Sequence, residues 1–240
     1  TDQEQRDLWR AVREAVGEQT AIIAGTGSND TAHAIELTRA AEEDGMDAVL
    51  AVTPYYNRPP QAGLLAHFRA VAGSTALPVV LYDIPGRSVV KIDHSTLIEL
   101  AGTRNIVAVK DAVGSVQGVA RLIAEAPEGF EVYCGNDADT LPWLSVGAVG
   151  VIAVASHVAG PQMAEMIRLF TSGDPAGARK IHLDLMPVFD AMGITTNPIP
   201  VKACMEIMGH KVGGPRLPLI PADDAQRALL KDVLTSAGVL

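Results

Sequence analysis

Ile106-Val107-Ala108-Val109-Lys110-Asp111 is the stretch on which the fold turns. Four apolar residues run together and stop at a lysine and an aspartate. Apolar side chains on both alternate positions mark a parallel strand covered on both faces. Five further runs have the same form, at residues 21–25, 48–53, 79–83, 131–135 and 150–155. Between them lie patterns such as 31–44 and 60–73, with apolar residues at helical spacing. Asp30 or Thr31 is placed to cap the first of these helices and Gly45 to end it. Repeated strand-then-helix units predict a parallel α/β sheet with right-handed crossovers.

The strands stop after Ala155, and residues 161–170, 174–191, 198–208 and 222–233 read as helices. Only the first of them is needed to complete the preceding unit. The expected division is a partial barrel over 1–172 and a helical region over 173–240. A doubly wound sheet gathers its chemistry at one switch point, whereas a barrel spreads it over several strand ends. Polar residues terminate five of the six runs: Thr26, then Thr53-Pro54-Tyr55-Tyr56, Tyr82-Asp83, Lys110-Asp111 and Asn136-Asp137. This dispersion predicts a TIM (β/α)8-type barrel with six of its eight strands present and a C-terminal helical extension. Residues 1–16 are a helix pattern with no strand before it. The two absent strands are therefore expected on the N-terminal side, and the chain is read as N-terminally incomplete.

Composition narrows the function. The 240 residues carry 19 basic and 28 acidic side chains, a net charge of −9, which argues against nucleic-acid or anionic-membrane partners. No apolar run reaches the ~18 residues of a membrane span. The longest, around 146–158, is broken by Gly147, Gly150, Ser156 and His157. No signal peptide is evident. The two cysteines, Cys134 and Cys204, lie in hydrophobic surroundings and read as buried free thiols of a cytoplasmic protein. Histidines are scattered singly, so no metal site is expected. Gly25-Thr26-Gly27-Ser28-Asn29-Asp30 has neither the dinucleotide-binding spacing nor a Walker lysine.

Of six lysines, only Lys110 directly follows an apolar strand. Partial desolvation there favours the neutral amine, the form that attacks carbonyl carbon. The alternative is a structural ion pair with Asp111. Tyr82 ends the preceding strand and would project at the same rim, where a phenol near an amine can relay protons. Three of the four tyrosines (Tyr55, Tyr56 and Tyr82) end strands on this one side. Arg87 follows the Pro85-Gly86 turn, and its guanidinium suits a carboxylate; the alternative is a solvated loop arginine.

With these residues in hand, the chain resembles the pyruvate-dependent class I aldolases, the family of dihydrodipicolinate synthase and N-acetylneuraminate lyase. The resemblance rests on residues 24–27, 52–59, 81–87, 109–112, 135–137, 150–154 and 197–202, in order and at family spacing. The Tyr55-Tyr56 pair, and Arg87 five residues after Tyr82, point to the synthase side. The resemblance implies a lyase of lysine and diaminopimelate biosynthesis. It would condense pyruvate with L-aspartate 4-semialdehyde to 4-hydroxy-tetrahydrodipicolinate through a Schiff base on Lys110, with no external cofactor. Tyr82 and Tyr56 would relay protons, Tyr56 from across a dimer interface. Arg87 would hold the aldehyde substrate's carboxylate, and Gly135 and Ile152 would line the pyruvate pocket. The implied assembly is a homotetramer of two dimers.

Nothing in the chain matches the family's Gly-Thr-Thr-Gly-Glu segment, which supplies a further proton relay. Losing a positioned proton-transfer group costs about 10²- to 10⁴-fold in rate, so weak activity is expected of this chain alone. Asn29 matches a position of the family's allosteric lysine site, whereas His33 stands where lysine-sensitive members place an acidic residue. Two alternatives stay open: a related aldolase acting on a sugar acid, and a non-catalytic homologue that binds a small carboxylate.

Overall fold

The computed structural model describes residues 1–240. The chain divides into two compact units, residues 1–135 with 146–149, and residues 136–145 with 150–240. Its six strands follow one another in chain order, as barrel strands do.

The first unit opens with helix α1 (Asp2–Val16), whose start is fixed by a capping box between Thr1 and Glu4. Arg6 and Arg10 both reach the Asp44 carboxylate, at 2.7 Å each, and Arg13 meets Asp47. These contacts tie α1 to the end of α2 (Thr31–Glu43). Asp30 caps α2 by accepting the Ala32 N–H at 2.9 Å. Strands β1 (Ile23–Gly25), β2 (Ala48–Val52), β3 (Val79–Asp83), β4 (Ile106–Asp111) and β5 (Glu131–Cys134) are all parallel neighbours. Between them run α3 (Gln61–Ala72), the single turn α4 (Pro85–Ser88), α5 (His94–Ala101) and α6 (Val116–Glu125).

Burial along the strands is uneven. In β3, Val79, Val80 and Leu81 are all buried, as two covered faces require. In β1, Ala24 is buried while Ile23 is 40% exposed, so the two-sided cover expected from its apolar composition is one-sided here. The reason is that β1 and β2 pack only one face, on which Ala24, Val49 and Ala51 are buried.

The second unit holds a 3-10 turn (Asp137–Asp139), α7 (Thr140–Leu144), β6 (Gly150–Val151) and helices α8 (Ser156–Thr171), α9 (Pro175–Ala191), α10 (Ile199–Ile207) and α11 (Asp224–Ser236). Val158, Met163, Leu185, Val188, Cys204 and Leu230 form part of its core. The sequence predicts a strand over 150–155, but the regular strand ends at Val151. The amides of Val154 and Ala155 donate instead to the Asp137 carboxylate, at 2.9 and 2.8 Å. That carboxylate diverts the backbone from a sheet ladder into a short first turn at Ser156; the backbone breaks at Ala159 (φ −127°, ψ 30°), and the helix read from residue 161 follows that break. No helix is long and apolar enough to cross a membrane.

Candidate active site

The pairing of β3 with β4 sets Tyr82 directly beside Lys110. Lys110 is 9% exposed, and its Nζ lies 4.2 Å from the centroid of the Tyr82 ring. A flat apolar surface thus stands where solvent would otherwise surround the amine. Burial pushes the Tyr82 phenol above its ordinary range, and the positive charge of Arg87 partly offsets this. The phenol therefore stays protonated at neutral pH and can donate a proton before it accepts one.

Neighbouring strands hold Tyr82 in place. The Thr53 N–H and hydroxyl both donate to the Tyr82 carbonyl, at 2.9 and 3.0 Å. Thr26 sits fully buried and accepts from the Thr38 hydroxyl at 3.0 Å. These two strand-end threonines, which the sequence places at the rim, serve local structure.

Asp111 does not face the same way as Lys110, because successive strand residues point to opposite sides. Its Oδ1 accepts the Val113 N–H at 2.7 Å, closing the turn after β4. Asp83 is its register partner on β3 and takes the Ile92 N–H at 3.1 Å. Sequence reasoning missed Asp83 as a member of this neighbourhood. The available signal was that two adjacent strands both end in a chemically active residue followed by aspartate.

Gly135 follows β5, and its N–H donates to the Asp111 carbonyl at 2.7 Å. A Cβ there would come within 2.9 Å of that same oxygen and of the Ala112 Cβ. Backbone must approach backbone at this point, so the position accepts no side chain without a shift. Arg87 lies exposed in α4, a full helical turn where the sequence suggests only a tight one. The turn is closed by Val89 in the left-handed region, φ 69°, an uncommon conformation for a β-branched residue.

Tyr56 is the outlier. It is 86% exposed, with φ 73°, in a loop whose Arg58 also has a positive φ of 49°. Asn57 pins that loop by donating to the Asn29 carbonyl at 2.8 Å. Ile152 belongs to the second unit, directly after β6, and is half-buried. A cleft of about 470 Å³ in the second unit is lined by residues including His157, Lys202 and Arg216, and by none of Lys110, Tyr82, Tyr56, Arg87, Gly135 and Ile152. No group of three His, Cys, Asp or Glu side chains stands close enough to hold a metal ion.

The chain as a whole is similar to known proteins. The model of the dihydrodipicolinate synthetase family matches residues 1–237. The chain is 48% identical over 240 residues to a 4-hydroxy-tetrahydrodipicolinate synthase of Synechococcus elongatus, covering all of this chain and 80% of that one. It superposes on a lysine-bound dihydrodipicolinate synthase of Cyanidioschyzon merolae with a TM-score of 0.97 at 43% identity, over 100% of this chain and 82% of the other. A monomeric dihydrodipicolinate synthase variant gives the same TM-score at 36% identity, over 100% and 81%.

Proposed function

The chain belongs to the dihydrodipicolinate synthetase family, and on that premise we propose that it condenses pyruvate with L-aspartate 4-semialdehyde, with Lys110 as the Schiff-base lysine. The observation that carries the assignment is the buried Lys110 amine 4.2 Å from the Tyr82 ring. The amine adds to the keto carbon of pyruvate, and water leaves to form an imine. The imine draws electrons from the adjacent methyl group, which loses a proton and becomes an enamine nucleophile. The enamine carbon attacks the aldehyde of the second substrate. The substrate's own amine then displaces Lys110 as the ring closes to 4-hydroxy-tetrahydrodipicolinate. The lysine is the covalent catalyst, so the reaction needs no external cofactor.

In this reading Tyr82 gives a proton to the departing hydroxyl and takes one back, a role suited to a phenol held protonated by burial. Arg87, exposed on α4 and near enough to act on the charge of Tyr82, offers its fork of donors to the carboxylate of the incoming aldehyde. Gly135 would line the pyruvate pocket with bare backbone beside the end of β4. Tyr56 has no cover within its own chain. A second subunit laid over this loop would bury the ring and give each site a tyrosine from its neighbour. The assembly proposed is therefore a homotetramer built from two such dimers, although one relative of the same fold is described as monomeric. Both cysteines are buried thiols, as suits the reducing cytoplasm where we place the protein.

The test is reductive trapping with isotope-labelled pyruvate and borohydride, followed by peptide mass spectrometry. The label is expected on the peptide carrying Lys110. A label on Lys91, or none, would sink the assignment. Turnover compared on aspartate semialdehyde and N-acetylmannosamine then fixes the aldehyde partner, with the former expected to react.

A further inference from the structure

Tyr82 and Lys110 occupy one face of β3 and β4, and the residues that follow them meet on the other. Asp83 and Asp111 are register partners, 1% and 7% exposed. With Lys91, His94 and Ser115 they line a cavity of about 130 Å³ against α5 and α6. Each carboxyl group accepts one backbone N–H, from Ile92 and Val113 respectively. The second oxygen of Asp83, Oδ1, is buried with no hydrogen-bond partner.

Two carboxylates on adjacent strands in so dry a space resist ionising together. Burial, with the neighbouring Asp111 charge adding to it, pushes the Asp83 carboxyl up to about 7, and burial also raises Asp111. The groups that face Asp83 are few. Lys91 and Asp93 in the segment before α5 act on it in opposite directions. His94 of α5 is engaged with Glu125 of α6 at 2.8 Å, and the Ser115 hydroxyl is occupied in capping α6 at the Gly118 N–H. None of them bonds to the orphan oxygen.

We propose, resting on the assignment of Lys110 as the Schiff-base lysine, that Asp83 and Asp111 are positioning residues for Lys110 and Tyr82. A proton shared by the two carboxyl groups draws the ends of β3 and β4 together and sets the amine against the phenol ring. When that proton leaves, like charges repel across the same two residues that fix the spacing of the catalytic pair.

The experiment traps the pyruvate adduct on Lys110 with cyanoborohydride across the pH range, in the unsubstituted protein, Asp83→Asn and Asp83→Ala. Asparagine keeps an acceptor for the Ile92 N–H and supplies a fixed donor toward Asp111, without a titration. The trapping rate of Asp83→Asn relative to the unsubstituted protein is expected to be near one at about pH 6 and to rise about threefold by about pH 8.5, bending near neutrality. Asp83→Ala, lacking both bonds, should trap about tenfold more slowly at every pH, so that the amide rescues what the methyl loses. If Asp83→Ala does not fold, Asp111→Asn replaces it, and the same pH-dependent rise is expected from the other strand. A ratio that stays flat with pH overturns the positioning role while leaving Lys110 as the nucleophile. Absence of any Lys110 adduct in the unsubstituted protein overturns both.

Discussion

At the scale of single residues, the proposed chemistry rests on a buried amine packed 4.2 Å from the centre of a tyrosine ring. Lys110→Ala is expected to abolish the trapped adduct altogether, since no other lysine occupies a buried strand end. Tyr82→Phe keeps the ring beneath the amine but removes the proton carrier. Turnover should fall about 10²- to 10³-fold while the KM for pyruvate moves far less, as steady-state kinetics would show. Asp83 gives a separate, thermodynamic prediction. Its carboxyl is raised from an ordinary 3.8 to about 7, so folding favours the protonated form. That contribution is complete below the unfolded value and is lost as pH climbs through the folded one, at about 1.4 kcal/mol per pKa unit. The melting temperature of Asp83→Asn should therefore depend less on pH between these values and exceed that of the unsubstituted protein on the alkaline side. The sequence singles out Lys110 and Tyr82 because chemically active residues at strand ends stand out in an apolar sequence, and Arg87 because it follows a tight turn. Asp83 does not stand out in this way, since a carboxylate at a strand end looks like an ordinary turn residue unless it is read together with the matching Asp111 of the next strand.

Among the elements, the spacing of β4 and β5 governs the floor beneath Lys110. The Gly135 N–H reaches the Asp111 carbonyl at 2.7 Å, and no Cβ fits between the chains. Gly135→Ala should cost about 1–3 kcal/mol in denaturant unfolding, as overpacked sites do, and lower the rate of adduct formation by displacing the end of β4. A change in neither would show that the backbone there yields freely. Helix starts were the easiest elements to read: Asp30 caps α2 through the Ala32 N–H as its residue type predicts. The end of β6 was the hardest. Gly150-Val151-Ile152-Ala153-Val154-Ala155 has the composition of a strand, yet its last two amides bond to a carboxylate 17 and 18 residues upstream. No local preference encodes a partner at that separation.

For the whole molecule, the open matter is what covers Tyr56. If each site borrows this tyrosine from a neighbour, Lys110→Ala and Tyr56→Phe should complement one another. Each is weak alone, but a dimer of one with the other holds one site with both residues intact. Random pairing would then restore about a quarter of the sites, measurable as recovered turnover after the two variants are refolded together. No recovery would assign Tyr56 to its own subunit or to no catalytic role. The order of six strands, the helical C-terminal region and the lysine at the end of β4 were determined by the sequence itself. Strand and helix periodicities, and a charge at the end of an apolar run, are local signals carried within a few residues. The tertiary structure alone decided how closely the Lys110 amine packs on the Tyr82 ring, that Asp83 meets Asp111 behind them, and that Asp137 holds the turn before α8. Each depends on register between segments distant in the chain, and register is fixed by the packing of entire strands and helices, which no short stretch contains.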